Sequence, residues 1–270
     1  MWEIPREIRQ NRKLIGTLAK NDFKKKFAGS YLGIIWAFVQ PIVTVFVYWF
    51  VFQFALNAGT QSTKRGIAVP YVLWLIAGLV PWFYFSDAFN SGTHALVEYN
   101  FLVKKVVFKI STLPAVKVVS SLFVHVFFIL FMLIMYACYG MFPDLYDLQI
   151  LYYSLCMVFL TLGLVYATSA VSVFFRDLMQ IVNIFLQVLI WMTPIMWNMD
   201  AVSMPGWVRV ILKLNPMFYI VSGYRDALIN KQWFWNHPIL TLYFWGLAIV
   251  VWLLGTHIFR KLKPHFADVL

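Results

Sequence analysis

KKKFAGSYLGIIWAFVQPIVTVFVYWFVFQFAL, residues 24–56, passes from three consecutive lysines into a stretch, Tyr31 to Leu56, without one charged side chain. Coiled as α-helix, that stretch is long enough to cross the ~30 Å hydrocarbon layer of a bilayer. The lysines at its head belong where anionic headgroups lie. The run therefore predicts a transmembrane helix entered from a basic surface.

The rest of the 270-residue chain repeats the pattern. Apolar segments at about 70–90, 114–140, 148–174, 178–197 and 236–259 join the first, at about 31–56, to give six predicted spans. They are continuous runs without the alternation of a membrane β-strand, so helices are expected and not a barrel. Trp36, Trp49, Trp74, Trp82, Trp191, Trp197, Trp235 and Trp252 lie mostly toward segment ends, where interfacial aromatics collect. Composition agrees, with 62% hydrophobic residues, 12% charged and a mean hydropathy of +0.75. A water-soluble surface needs about twice that charge. The predicted fold class is an all-α integral membrane protein.

A net charge of +11 is one footprint of nucleic-acid binding. Here the basic residues cluster beside the apolar segments, which points to membrane lipids and away from nucleic acid. Placing residues 1–30, 91–117, 174–177 and 260–270 on one side gathers sixteen of the 22 Lys and Arg residues there. Lys64, Arg65, Arg209, Lys213, Arg225 and Lys231 remain on the other. The positive-inside rule then puts both termini in the cytoplasm.

The chain divides into a basic segment, 1–30, a transmembrane domain, 31–263, and a cytoplasmic tail, 264–270. In the first segment Ile4, Ile8, Ile15 and Leu18 fall near one helical face, which suits an amphipathic helix on the inner membrane surface. A disordered basic arm is the alternative. Within 198–235, two apolar pieces at about 205–214 and 216–229 are each too short to span and are split by Pro216. Two short helices re-entering from the outer face are predicted before the last span.

Enzyme signatures are missing. No G-x-x-x-x-G-K-[ST] or G-x-G-x-x-G loop occurs, nor a Ser-His-Asp or H-E-x-x-H arrangement. Cys138 and Cys156 form no C-x-x-C pair, and no metal site is signalled. The chain is therefore not expected to be an enzyme, and energy from ATP would have to enter through another subunit. His125, mid-segment, reads either as a proton relay or as a neutral histidine bonded to a neighbouring helix.

Two inner turns stand out. Around 93–113, Leu96, Val97, Phe101 and Leu102 can form an apolar ridge flanked by Glu98, Lys104 and Lys105, suited to a groove on a cytoplasmic partner or to lipid headgroups. At 174–180, Asp177 can cap the next helix while Arg176 points toward headgroups.

The stretch 24–41, N-F-L-V-K-K-V-V-F (100–108), R-D-L-M-Q (176–180), T-P-I (193–195) and L-N-P-M-F-Y-I-V-S-G-Y-R-D-A-L (214–228) resemble, in order, the anchors of ABC-2 type exporter permeases. The resemblance covers about 24–263 and is nearest to the branch that translocates wall teichoic acid, with O-antigen and capsule exporters next. One departure is F-K-I-S-T-L-P (108–114), where the family usually carries a proline and a charged pair before L-P.

The resemblance implies a bacterial plasma-membrane complex of two copies of this chain and two ATP-binding subunits. ATP and Mg would be bound by those partners, with no cofactor in this chain. It maps an interface helix to about 5–26, a coupling helix to about 95–107 and a re-entrant pair to about 202–230. The implied cargo is an undecaprenyl-diphosphate-linked polymer carried from the inner to the outer side. An ion or small-solute channel and a polyprenyl-lipid transferase are the rival classes. The first would need charge rings and the second clustered acids, and the sequence displays neither.

With six spans too few to enclose a polymer, the passage is expected between two copies. Tyr48, Trp49, Phe52, Trp191 and Trp197 are its aromatic lining candidates, or else ordinary packing aromatics. Lys24, Lys25 and Lys26 are candidates for the substrate headgroup, or for lipid anchoring. Arg209, Lys213 and Arg225 are candidates for an exit-side basic track, or for snorkelling.

Overall fold

The computed structural model describes residues 3–26, 29, 31–62, 66–103 and 109–269. The N-terminal segment forms α1, Glu3–Gln10, and α2, Arg12–Lys26, divided at Asn11. Helical bonding runs on through the division, from Asn11 N–H to the Glu7 carbonyl and from Ile15 N–H to the Asn11 carbonyl. Next comes α3, Trp36–Phe50, extended by a 3-10 turn, Gly33–Ile35, and a π turn, Val51–Ala55. A small antiparallel hairpin, β1 Gln61–Ser62 and β2 Ala68–Val69, leads to α4, Tyr71–Thr93. The short helices α5, Ala95–Glu98, and α6, Asn100–Val103, precede α7, Thr112–Cys138. Then follow α8, Gln149–Ser172, α9, Leu178–Met192, α10, Gly206–Leu214, α11, Pro216–Arg225, and α12, Pro238–Leu262. Helix α13, Phe266–Val269, comes last.

Among the described residues, five units are long and apolar enough to cross a membrane: Gly33–Ala55, Tyr71–Thr93, Thr112–Cys138, Leu145–Ser172 and Pro238–His265. The predicted fifth span, 178–197, is cut short. Helix α9 has 15 residues, about 22 Å of rise. Pro194 disfavours the helical conformation in the residue before it, and Thr193 accordingly lies at φ −91°, ψ 125°. The fold is an all-α integral membrane architecture, as its composition predicts.

Helix starts follow local chemistry. Asp144 accepts from Tyr146 N–H at 2.9 Å while its own N–H donates to the Asp147 carboxylate at 3.1 Å. This capping box opens the turn that leads into α8. Asn215 accepts from Met217 N–H at 3.0 Å, with Pro216 in the first turn of α11. The break expected at Pro216 is thus a helix beginning.

Helix α4 is the centre of the bundle and is buried without interruption from Tyr71 to Trp82. Helices α8 and α12 pack along an aromatic ladder. Tyr152, Phe159 and Tyr166 recur every seven residues opposite Trp245, Trp252 and Phe259, with Phe159 and Trp252 stacked at 5.2 Å. A seven-residue repeat keeps one seam facing the partner helix. Between the rungs the backbones nearly touch, because a Cβ on Gly255 would lie 2.1 Å from the Gly163 carbonyl oxygen. Small residues permit such close crossings in membrane helices. Gly255→Ala is therefore expected to force the two helices apart, at a cost of at least about 1–3 kcal/mol. A thermal midpoint equal to wild type, by fluorescence-detected size exclusion, would contradict that packing.

The two ends of the chain meet. Ile4 of α1, Phe259 of α12 and Phe266 of α13 share one buried cluster with Leu96, Tyr99, Leu113 and Tyr166. Both termini therefore lie at the same end of the bundle, here called basal. The hairpin, α10 and α11 lie at the opposite, distal end, where Asn198 Nδ2 donates to the Ser62 carbonyl at 3.0 Å.

Candidate functional site

The basal end carries a buried charge cluster. Lys117, in the second turn of α7 and only 5% exposed, places its Nζ 2.6 Å from Asp22 Oδ1 of α2 and 2.8 Å from Glu98 Oε2 of α5. The Tyr99 hydroxyl also donates to Asp22, and Lys117 Nζ lies 5.0 Å from the Tyr99 ring centre. Burial, and then the bond to Asp22, push the Tyr99 phenol well above its ordinary range, so it stays a donor. One cation thus joins α2, α5 and α7.

Two further ties flank it. Lys26 pairs with Asp87 of α4, whose other oxygen accepts from Ser121 of α7 at 2.7 Å. Glu7 of α1 accepts from Ser111, and Lys263 Nζ stands 4.0 Å from Glu7. The N-terminal helices are therefore fixed to the bundle at Glu7, Asp22 and Lys26, which is more than an amphipathic helix resting on lipid provides. Lys24 and Lys25 are exposed, whereas Lys26 already has a carboxylate partner.

The expected ridge after α4 is divided. Leu96 is fully buried in the basal cluster and Glu98 is taken by Lys117, while Phe101 is 51% exposed. The ridge is corrected accordingly: Leu96 anchors inward and Phe101 projects. Val97 and Leu102 are half-buried. Lys104 and Lys105 lie outside the described residues. At the next basal turn Arg176 and Asp177 are exposed. Asp177 occupies the N-cap position of α9 without making the side-chain capping bond expected of it.

A side groove of about 390 Å³ opens between α3, α4 and α7, with Lys26, Gln40, Thr44, Asp87 and Asn90 among its polar walls. It shares Lys26, Asp87 and Ser121 with a smaller polar recess beside Lys25 and Lys117. His125 also borders the groove, but its Nε2 is 3.2 Å from both Ser154 Oγ and Tyr224 OH, which are themselves 2.7 Å apart. This places it in a closed interhelical hydrogen-bond triangle.

Helices α3 and α9 are sparsely covered. Phe46 and Phe50 of α3 and Phe54 of the π turn after it are exposed, one per turn, as is Trp36 at the start of α3, whereas Tyr48, Trp49 and Phe52 are half-buried against the chain's own core. Phe52 stacks on Tyr71 at 5.7 Å. The α3 face expected to be open is therefore displaced around the helix. Periodicity alone cannot orient a segment that is apolar on all sides. On α9, Ile184, Val188 and Trp191 are exposed, and Trp197 is half-buried with its Nε1 donating to the Trp191 carbonyl at 3.2 Å.

At the distal end the proposed basic track is broken. Arg225 is 5% exposed, donates through its Nη atoms to the carbonyls of Pro194 at 2.6 Å and Ile195 at 2.7 Å, and stacks 3.8 Å from the Trp74 ring. It is a staple between α11, α4 and the segment after α9, not a surface cation. Arg209 reaches the Val202 carbonyl at 3.4 Å, and Lys213 is half-buried. Lys231 instead clamps Asp144 and Asp147, each at 3.1 Å.

The profile of the ABC-2 type transporter family matches residues 13–229, from α2 to the turn after α11. Over 268 residues the chain is 26% identical to the O-antigen export system permease protein RfbA of Myxococcus xanthus, covering 99% of each chain. Over 258 residues it is 27% identical to the O-antigen export system permease protein RfbA of Klebsiella pneumoniae, covering 95% of each. Taken with the multi-pass helical bundle, the match establishes that the chain belongs to the ABC-2 type transporter family and is a membrane transport subunit.

Proposed function

We propose that the chain is the permease of an ATP-driven exporter of lipid-linked polysaccharide, working as two copies joined to two ATP-binding subunits. The observation that carries this reading is the basal block. Interface helix, post-α4 helices and third span are held together by Lys117, and Phe101 projects from the same block. A rigid, projecting platform at the end holding both termini suits a cytoplasmic motor that pushes on it. Both termini are accordingly assigned to the cytoplasm. The uncovered faces of α3 and α9 would meet their counterparts in the second copy and border the passage. Helices α10 and α11 would re-enter the membrane from the outer side.

The cargo proposed is an O-antigen-like glycan on an undecaprenyl diphosphate carrier, in keeping with the O-antigen export role for which the relatives are named. Wall teichoic acid is the second reading, favoured by the motif resemblance. Lys24 and Lys25 are exposed in the last turn of α2, with Lys25 lining the recess next to the side groove, and would meet the diphosphate there. The test is reconstitution with the ATP-binding subunit and measurement of ATP turnover against undecaprenyl-diphosphate-linked O-antigen, capsule and teichoic acid fragments. O-antigen fragments are expected to stimulate most. Lys24→Gln with Lys25→Gln should lower that stimulation at least fivefold, with Lys26 left in place to hold Asp87. Unchanged stimulation would remove the headgroup role, and no response to any glycan would overturn the export reading.

A further inference from the structure

Helices α1 and α2 separate charge from apolar surface. Helical bonding continues through Asn11, so at 3.6 residues per turn Arg6, Arg9, Lys13, Lys20 and Lys24 fall within an arc of about 60°. All five are exposed, along roughly 27 Å of helix. Ile4, Ile15, Ala19 and Asp22 stand on the far side and are buried. At the join of the two helices Arg6, Arg9, Gln10, Arg12 and Lys13 line one open recess of about 620 Å³.

These cations are unanswered within the chain. Among the described residues no carboxylate lies within ion-pair distance of any of the five, and none of their side chains makes a hydrogen bond. Glu7 and Asp22, acids of the same helices, turn inward to Ser111 and Lys117. A stripe of one sign repels itself and gains from an anionic partner. Protein interfaces are built around aromatic and apolar anchors, with lysine depleted. Here Leu14, 39% exposed, is the only large apolar side chain exposed on α1 or α2 among the described residues. The stripe therefore suits a continuous anionic surface and not a protein groove.

The packing of α2 sets the level at which the stripe lies. Ile15 and Ala19 meet Ala115 and Val116 in the opening turns of α7, and the Phe23 ring stands 5.6 Å from that of Phe123. Helix α7 is long and apolar enough to span. The outer face of α2 thus looks away from the bundle where α7 leaves the hydrocarbon, the level that phosphate headgroups occupy. The apolar face expected to rest in lipid is covered by α7 instead, which leaves the cations to meet the leaflet. We infer that the outer face of α1 and α2 is a docking surface for the anionic phospholipid headgroups of the inner leaflet, holding the block built on Lys117 against the membrane. Assignment to the inner leaflet rests on the export reading, whereas the charge and the packing do not.

The test uses the permease with its ATP-binding partner in nanodiscs of phosphatidylcholine and phosphatidylglycerol. Electron paramagnetic resonance measures the fraction of spin-labelled lipid held at the protein, for labelled phosphatidylglycerol against labelled phosphatidylcholine. Phosphatidylglycerol is expected to be preferred at least threefold in low salt. The preference should shrink toward equality in about 1 M salt, where screening acts within about 3 Å. Each basic residue near an anionic leaflet contributes about fivefold in binding. Averaged over every lipid touching the protein, Arg6→Gln with Arg9→Gln and Lys13→Gln should lower the preference at least twofold. Arg6→Lys with Arg9→Lys should keep it, because a leaflet asks for charge and not for the planar fork of arginine. These side chains are exposed, so neither variant should shift the thermal midpoint. The surface is overturned by equal binding of the two lipids in wild type, by an unchanged preference in the glutamine variant, or by its loss in the lysine variant. Release of the ATP-binding subunit from the glutamine variant at unchanged lipid preference would give the stripe to that subunit and likewise overturn it. If lipid-linked glycan stimulates ATP turnover while no lipid preference exists, the surface alone falls. If the preference follows the stripe while no lipid-linked glycan affects turnover, the surface stands and the export reading falls.

Discussion

Lys117→Met is expected to uncouple ATP turnover from export and to lower stability by up to about 3–5 kcal/mol, the usual cost of removing one member of a buried ion pair. The substitution leaves Asp22, only 5% exposed, without its cation and, among the described residues, with Tyr99 as its remaining side-chain donor. Glu98 is less affected, because its side chain is 54% exposed and can turn to water. A second variant separates mechanics from folding. Replacing Asp22 and Lys117 together by Leu and Met removes both buried charges, an exchange that is often neutral for stability. The double variant should therefore recover its thermal midpoint but not its export, since the tie between α2 and α7 would be gone. Recovery of export along with stability would reduce the cluster to a folding element.

Phe101→Asp is expected to abolish stable association with the ATP-binding subunit while leaving the permease folded. The side chain is 51% exposed on α6 and meets the basal cluster at the rim, with its ring centre 6.1 Å from that of Tyr99. A buried aromatic anchor at a protein interface typically carries about 2–4 kcal/mol, so roughly a 30- to 700-fold loss of affinity follows. The readout is co-purification of the partner, with the permease's thermal midpoint as the control. Normal co-purification at unchanged midpoint would show that the motor docks elsewhere.

Much of the fold was legible because membrane spans announce themselves by length and uninterrupted apolarity. Pro216 and Asn215 also declare a helix start on inspection. The functional details were less visible, for identifiable reasons. Lys117 reads as one more basic residue at an inner turn. Its partners stand 95 residues away at Asp22 and in the preceding short helix α5 at Glu98, so nothing local reveals that it is buried. Arg225 reads as a surface cation because its acceptors are main-chain carbonyls, which carry no sequence signal. Nothing in the sequence separates Phe46, Phe50 and Phe54 from Tyr48, Trp49 and Phe52, since a helix apolar all round gives no indication of which side its neighbours cover. The short fifth span could have been anticipated from Pro194, which bars helix at Thr193.

The seam between α8 and α12 has a mechanical corollary. Two helices whose main chains touch at Gly163 and Gly255, and whose rings interlock every second turn, have no room to slide. Together with α4 and α7 they form a stiff keel. Any widening of the molecule must then be taken up by α3 and α9, the two helices that this keel grips least.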